Sequence, residues 1–229
     1  MTESVQLAVV VPAAGVGSRM GADVPKQYLA LAGQTIIEHT LSRLLSHPAI
    51  SRVIVALAPD DNWFSRLPLA CDPRIERVVG GAERASSVLN ALQVVTESWV
   101  LVHDAARPCI THADLDRLLA QRSHLDGAIL GSRVRDTMKR SDAEGAIIAT
   151  VDRDQLWHAL TPQMFPTVRL RNALQRGLEQ GALITDEASA IELDGGYPRM
   201  VEGRADNIKV TRPEDLALAA LYLRQQDAH

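Results

Sequence analysis

The chain has 229 residues, of which 46% are hydrophobic and 23% charged, and a formal net charge of −4 at pH 7. Such a length suits one α/β domain with a substantial core, and the slightly negative balance excludes the global basic footprint of a nucleic-acid binder, so any anion site must be local. No apolar run approaches the ~18 residues of a membrane helix, Met1–Ser4 lacks the basic start of an export signal, and Cys71 and Cys109 stand far apart without metal-ligand spacing, which reads as two reduced thiols in a cytoplasmic protein.

Apolar runs then alternate with helical periods. Leu7–Val11 reads as a buried parallel strand that stops at Pro12 in a run of small residues. Ile36, Ile37, Thr40, Leu41, Leu44 and Leu45 recur at helical spacing, with an end expected near His47-Pro48. Arg52–Leu57 is a second strand, a short helix is expected after Asp60, and Ile75–Val79 is a third strand that ends at Gly80-Gly81. Val88, Leu89, Leu92 and Val95 predict a helix from Glu83, and Trp99–His103 a fourth strand. Thr111 caps the following helix, with Asp114 completing a box-like start, and a fifth strand begins at Ala128-Ile129-Leu130. This alternation predicts an α/β, Rossmann-like three-layer sandwich: a mostly parallel sheet, helices on both faces, and ligands at the carboxyl ends of the strands.

The pattern changes after Val134. Thr137–Arg140 and Ile147–Val151 flank Ser141–Gly145 and predict a projecting β-hairpin arm over 135–154. A lone two-stranded ribbon is marginal in water, so the arm is expected to pack on something, most simply a second subunit. Leu160-Thr161-Pro162-Gln163 reads as a turn carrying a hydroxyl. Helices follow at Val168–Leu178 and Glu187–Leu193, a late strand at Tyr197–Glu202, and a last helix from Pro213 to about Arg224.

The chemistry concentrates in a few stretches. After the first strand, Ala13, Ala14, Gly15, Gly17 and Ser18 let a ligand approach the backbone, and Arg19 and Lys26 add two cations, a combination suited to phosphate. Neither common phosphate motif fits: Met20 stands where the dinucleotide fingerprint and the P-loop each need a glycine. Gly80-Gly81 ahead of Arg84 and Ser87 reads either as a second anion or base contact or as a turn with a capped helix. Asp104 follows a buried strand at the ligand edge, and beside a triphosphate a carboxylate serves chiefly as a Mg²⁺ ligand. His103 reads as a satisfied strand-end residue, and Arg107 as a partner for a carboxylate without chemistry of its own. Thr137 and Arg153, on opposite strands of the arm, offer a hydroxyl and a guanidinium suited to phosphate, or plain ribbon surface. Thr185 and Asp186 read first as helix caps, and Asp206 and Lys209 as loop charges.

The ordered set is more specific than its parts. Pro12-Ala13-Ala14-Gly15-x-Gly17-x-Arg19-Met20-Gly21, Pro25-Lys26-Gln27-Tyr28, Gly80-Gly81-x-x-Arg84-x-x-Ser87, Val102-His103-Asp104-Ala105-Ala106-Arg107-Pro108, Asp136-Thr137-Met138-Lys139, Leu160-Thr161-Pro162-Gln163, Thr185-Asp186-Glu187-Ala188 and Gly203-x-x-x-Asn207-Ile208-Lys209-Val210-Thr211 follow one another over nearly the whole chain. This series resembles the 2-C-methyl-D-erythritol 4-phosphate cytidylyltransferase family. The resemblance implies one nucleotidyltransferase domain over 1–229, with 135–154 as an arm for dimerisation and substrate. It implies transfer of CMP from CTP, the co-substrate, to 2-C-methyl-D-erythritol 4-phosphate, with Mg²⁺ or another divalent cation, in a cytoplasmic homodimer without nucleic-acid or membrane partners. It implies catalytic roles for Arg19, Lys26, Arg153 and Lys209, and a nucleotide pocket of Pro12, Ala13, Ala14, Gly15, Gly17, Gly81, Arg84, Ser87 and Ala105, with Ser87 near the base. Asp104 is the implied metal position. Thr137 and Arg153 of a partner's arm would reach the sugar phosphate, which Asp206 and Lys209 would meet from this subunit, with Thr161 and Thr185 as further substrate contacts. Three other readings stay open: the same chemistry on ribitol 5-phosphate, a nucleotide-sugar glycosyltransferase, and a non-catalytic nucleotide-binding module. Ala105-Ala106 after Asp104 departs from the Asp-x-Asp of the second.

Overall fold

The computed structural model describes residues 6–15 and 24–228. The first strand, β1 (Leu7–Pro12), is buried on both faces: Leu7, Val9 and Val11 pack into one layer, Ala8 and Val10 into the other. Two very short strands that the sequence reading lacks, β2 (Ala30–Leu31) and β3 (Gln34–Thr35), turn through Ala32 and Gly33, with φ of 47° and 90°. They deliver the chain into α1 (Ile36–Leu45), whose first turn is closed by a Thr35–Glu38 capping box. β4 (Ile50–Leu57) follows. In place of one helix after Asp60 stand two 3₁₀ turns, Phe64–Arg66 and Pro68–Cys71; Pro68 has no N–H with which to continue the first.

Next come β5 (Ile75–Val79), α2 (Arg84–Leu92) and β6 (Trp99–Val102). α3 (His112–Leu119) begins at the expected Thr111–Asp114 box, and β7 (Ala128–Arg133) leads to the arm. The arm is an antiparallel hairpin of β8 (Met138–Ser141) and β9 (Ile147–Val151), which form a two-stranded sheet of their own. Ile147 and Ile148, neighbours in sequence and therefore on opposite faces of the ribbon, are 66% and 63% exposed.

The turn expected at Leu160–Gln163 lies instead within a ten-residue strand, β10 (Trp157–Pro166). α4 (Thr167–Glu179), α5 (Glu187–Leu193), β11 (Arg199–Glu202) and α6 (Pro213–Asp227) complete the chain. The main sheet runs β11-β7-β10-β6-β1-β4-β5, with β10 antiparallel to both neighbours and the other pairs parallel. β10 carries two prolines and no clean alternation, which argues against a central strand. Its ladder with β7 breaks between Ala159 and Gln163, so Pro162 falls where no ladder N–H is required. The break sets Thr161 beside the carboxyl end of β6, two residues beyond the Gln163–Val102 pair.

Helices α1 and α3 cover one face of the sheet, and α2, α4 and α5 the other, while α6 buries Ala219 and Leu223 in a smaller third cluster. Among the described residues no helix is long and apolar enough to cross a membrane. Cys71 and Cys109 are free thiols, the first exposed and the second buried.

Candidate active site

A cavity of about 190 Å³ opens at the carboxyl ends of β1 and β6, where parallel strands and small loop residues leave room for a ligand. Pro12, Ala14 and Gly15 form one wall. Ala13 is buried behind it: its N–H donates to the Ala56 carbonyl at 2.8 Å, and its carbonyl accepts from Gln27 Nε2 at 2.8 Å. That bond ties the wall to the 3₁₀ turn Lys26–Tyr28, from which Lys26 lines the cavity. Gly17 and Arg19 lie outside the described residues.

The opposite wall comes from the start of α2. Gly80 approaches so closely that a Cβ there would sit 2.6 Å from Ala14 Cβ and 3.2 Å from the Leu57 carbonyl oxygen, so glycine is required by contact. Gly81 donates its N–H to Ser87 Oγ at 3.0 Å, and the Ser87 hydroxyl donates to the Glu83 carbonyl at 2.9 Å. Ser87 thereby closes the turn while still lining the cavity, beside Arg84 and the floor residue Ala105.

The charges converge on Asp104. Its Oδ1 accepts from Arg84 Nε at 3.1 Å; its Oδ2 meets Lys209 Nζ at 2.9 Å and Arg107 Nε at 3.5 Å. Burial pushes the Asp104 carboxyl up, but Arg84, Lys209 and Arg107 together outweigh it and hold the group well below the usual carboxylate range. Burial disfavours the Arg84 charge, yet Glu187 and Asp104 raise its pKa overall. Arg84 Nη1 and Nη2 fork onto Glu187 at 2.7 and 3.1 Å.

The backbone under Asp104 is fixed from β10. The Asp104 N–H donates to Thr161 Oγ1 at 3.1 Å, so the Thr161 hydroxyl hydrogen is available to His103 Nδ1 at 3.0 Å. His103 Nε2 then donates to the Arg107 carbonyl at 3.0 Å, which fixes the neutral tautomer. Burial lowers the His103 pKa to about 4 from the ordinary 6.5. Between those values the unfolded chain binds more protons than the native one, so stability is lost as pH falls from 6.5 towards 4. Urea unfolding from about pH 7.5 to 5 is therefore expected to show a smaller acid-side loss for His103→Gln than for the wild type. Equal losses would remove His103 as the source.

The remaining sequence-selected residues lie elsewhere. Thr161 is buried with its hydroxyl engaged as above. Thr185 is exposed just before α5, its N–H donating to Ser189 Oγ at 3.1 Å. Asp206 accepts from Arg204 Nε at 2.9 Å in a loop outside the described lining of the cavity. Thr137 and Arg153 fall just beyond the paired residues of β8 and β9, at the base of the arm. Arg153 donates to the Arg135 carbonyl and lines a separate polar hollow with Arg133 and Arg135. Sequence reasoning missed Glu187, Gln27 and Asn207 as parts of this site. Asn207 Nδ2 donates to the Thr161 carbonyl at 2.7 Å and its own carbonyl accepts from Arg107 Nη1 at 2.7 Å, tying β10 to the Lys209 loop. Only their position inside the quoted motifs hinted at them.

The donor set limits which cation the cavity suits. Asp104 and Glu83 are the carboxylates in its described lining, and among the described residues no three His, Cys, Asp or Glu side chains gather as a metal cluster. A cation that needs several protein ligands does not fit. Mg²⁺, which takes one or two carboxylates plus phosphate oxygens and water, does, because Asp104 Oδ1 keeps a lone pair beside its single bond from Arg84.

The chain is similar to known proteins over nearly its whole length. The family model for 2-C-methyl-D-erythritol 4-phosphate cytidylyltransferase matches residues 7–225. The enzyme of that name from Aeromonas hydrophila is 73% identical over 222 residues, spanning 97% of this chain and 91% of its own length. The one from Tolumonas auensis is 63% identical over 219 residues, spanning 95% of this chain and 96% of its own. The crystal structure of Francisella tularensis 2-C-methyl-D-erythritol 4-phosphate cytidylyltransferase aligns with a TM-score of 0.82 at 36% identity, covering 95% of this chain and 99% of that one.

Proposed function

The chain belongs to the 2-C-methyl-D-erythritol 4-phosphate cytidylyltransferase family, and from that premise we propose how its residues divide the work. The enzyme transfers CMP from CTP to 2-C-methyl-D-erythritol 4-phosphate, giving 4-diphosphocytidyl-2-C-methyl-D-erythritol and pyrophosphate, in non-mevalonate isoprenoid precursor synthesis. A phosphate oxygen of the sugar alcohol attacks the α-phosphorus of CTP, and the bond from that phosphorus to the bridging oxygen breaks as pyrophosphate leaves with the electron pair. A phosphomonoester with a second pKa near 6 is mostly dianionic at pH 7, so the nucleophile needs no general base.

The barrier is then the approach of two anions, and the cavity meets it with cations. Lys26, Arg84 and Lys209 converging on one cavity is the observation that carries this reading. Lys26 and Arg19 hold the triphosphate and stabilise the charge that develops at the α-phosphorus. Lys209, on the far side beside Asp104, holds the incoming phosphate, and Asp206 meets the hydroxyl-bearing part of the same substrate. Pro12, Ala13, Ala14, Gly15, Gly17, Gly81, Ser87 and Ala105 shape the nucleotide site, with Arg84 fixing its charged floor, while Thr161 and Thr185 support the substrate side. A divalent cation would be held by Asp104 and phosphate oxygens, and when bound it neutralises part of the triphosphate charge.

The functional unit we propose is a cytoplasmic homodimer of a single domain over 1–229. Exposed isoleucines on both faces of the 135–154 arm support its packing on a second copy, which would carry Thr137 and Arg153 to the partner's sugar phosphate. The test is pyrophosphate release with Mg²⁺, crossing four nucleoside triphosphates against 2-C-methyl-D-erythritol 4-phosphate and ribitol 5-phosphate. Turnover with CTP and the erythritol phosphate alone is expected. Mixing inactive Arg153→Ala and Lys26→Gln chains should restore part of the activity, because a mixed dimer holds one intact site; no recovery would reject the shared site.

A further inference from the structure

Glu187 is a buried carboxylate that meets the cavity through Arg84 and that the reaction as described does not use. It is fully buried at the first position of α5, and both its oxygens accept from the Arg84 fork, the arrangement of an ionised carboxylate. Its own placement is rigid. Gln163 of β10 grips α5 on either side of it: Gln163 Nε2 donates to Asp186 Oδ2 at 2.8 Å, and Gln163 Oε1 accepts the Ala188 N–H at 2.9 Å.

This grip decides how Arg84 meets Asp104. With Nη1 and Nη2 committed to Glu187, Arg84 presents only Nε to Asp104 Oδ1, and Asp104 Oδ2 is left to Lys209 at 2.9 Å and Arg107 at 3.5 Å. Released from Glu187, the guanidinium would be free to turn its fork onto Asp104 and engage both oxygens, which is its preferred geometry with a lone carboxylate. Lys209 would lose its seat.

We propose that Glu187 is a positioning residue for cytidylyl transfer, one that holds Arg84 edge-on to Asp104 so that Lys209 stays docked at the reacting phosphates. The proposal rests on the role assigned above to Lys209. It places Glu187 outside any contact with substrate, and it predicts an effect on turnover more than on CTP capture.

Steady-state kinetics of Glu187→Gln, Glu187→Asp, Arg84→Gln, the Glu187→Gln/Arg84→Gln double variant and Lys209→Gln test it, with rates expressed per CTP-binding site counted by calorimetry. Glu187→Gln is expected to lower kcat about 10- to 100-fold, as lost supporting contacts commonly do, with KM for CTP changed only a few-fold. The double variant should be no slower than Arg84→Gln, since Glu187 acts through Arg84. Should Glu187→Gln fail to fold, Glu187→Asp decides: it keeps the charge but shortens the reach by one methylene, and its kcat should fall while the fold stays intact. Additive losses in the double variant, or full kcat per site in a folded Glu187 variant beside an impaired Lys209→Gln, would overturn the inference alone. Full turnover in Lys209→Gln would overturn the assigned role of Lys209, and the inference with it.

Discussion

Lys26→Gln is expected to lower kcat/KM by about 10²–10³ while the melting temperature moves by no more than a few degrees. The size follows from removing one preorganised charge aimed at a phosphorus where negative charge accumulates. The intact fold follows from what holds the turn. Gln27 Nε2 bonds the Ala13 carbonyl at 2.8 Å, the Tyr28 hydroxyl donates to Asp61 Oδ2 at 2.6 Å, and the Tyr28 N–H closes the turn on the Pro25 carbonyl at 2.9 Å. Burial and the Asp61 carboxylate keep the Tyr28 phenol protonated far above its usual range, so that anchor persists at working pH. Rapid-quench measurement of one turnover separates the roles: a slow chemical step at saturating CTP is expected. An unchanged rate of bond cleavage with only weaker CTP binding would reduce Lys26 to a binding residue.

The site was legible wherever its chemistry is local in sequence. Asp104 directly follows an apolar strand, and Lys26 closes a loop of small residues, so strand ends and composition alone place both at one sheet edge. The strands β1 and β6 are legible to within a residue because four or more consecutive apolar or β-branched positions announce a buried strand. β10 is not, because prolines and a broken register erase the period-2 signal while the strand still pairs on both sides. The consequence reaches the site: Thr161 reads as a turn hydroxyl, yet in the fold it holds the Asp104 backbone and sets the His103 tautomer. Glu187 was illegible for a different reason. Asp186 supplies a complete helix cap, which explains the local acidity, and the partner that gives Glu187 its role is 103 residues away in sequence. Charge pairs closed by topology leave no periodicity to read.

Asp104→Asn is expected to have the largest effect of any single change in the cavity, because it acts on stability and activity together. The amide keeps the shape but removes the negative charge that Arg84, Lys209 and Arg107 share. Its NH₂ also turns a donor towards one of them. Breaking a buried ion pair costs about 3–5 kcal/mol; here the lower end, about 3 kcal/mol, is expected, since Lys209 stays partly exposed and Arg84 keeps Glu187. Activity should fall by about 10³ or more, through misplaced cations and the lost carboxylate for a divalent ion. The pH dependence tests the physical cause. Asp104 in the native chain titrates well below the ordinary carboxylate range, so its stabilisation is complete above about pH 4 and is lost only as pH falls below that. The stability gap between wild type and Asp104→Asn, read from denaturant unfolding, should therefore stay constant from about pH 8 to 5. A gap that narrows within that window would mean that the carboxyl takes up a proton there, and that the three surrounding cations do not hold it ionised.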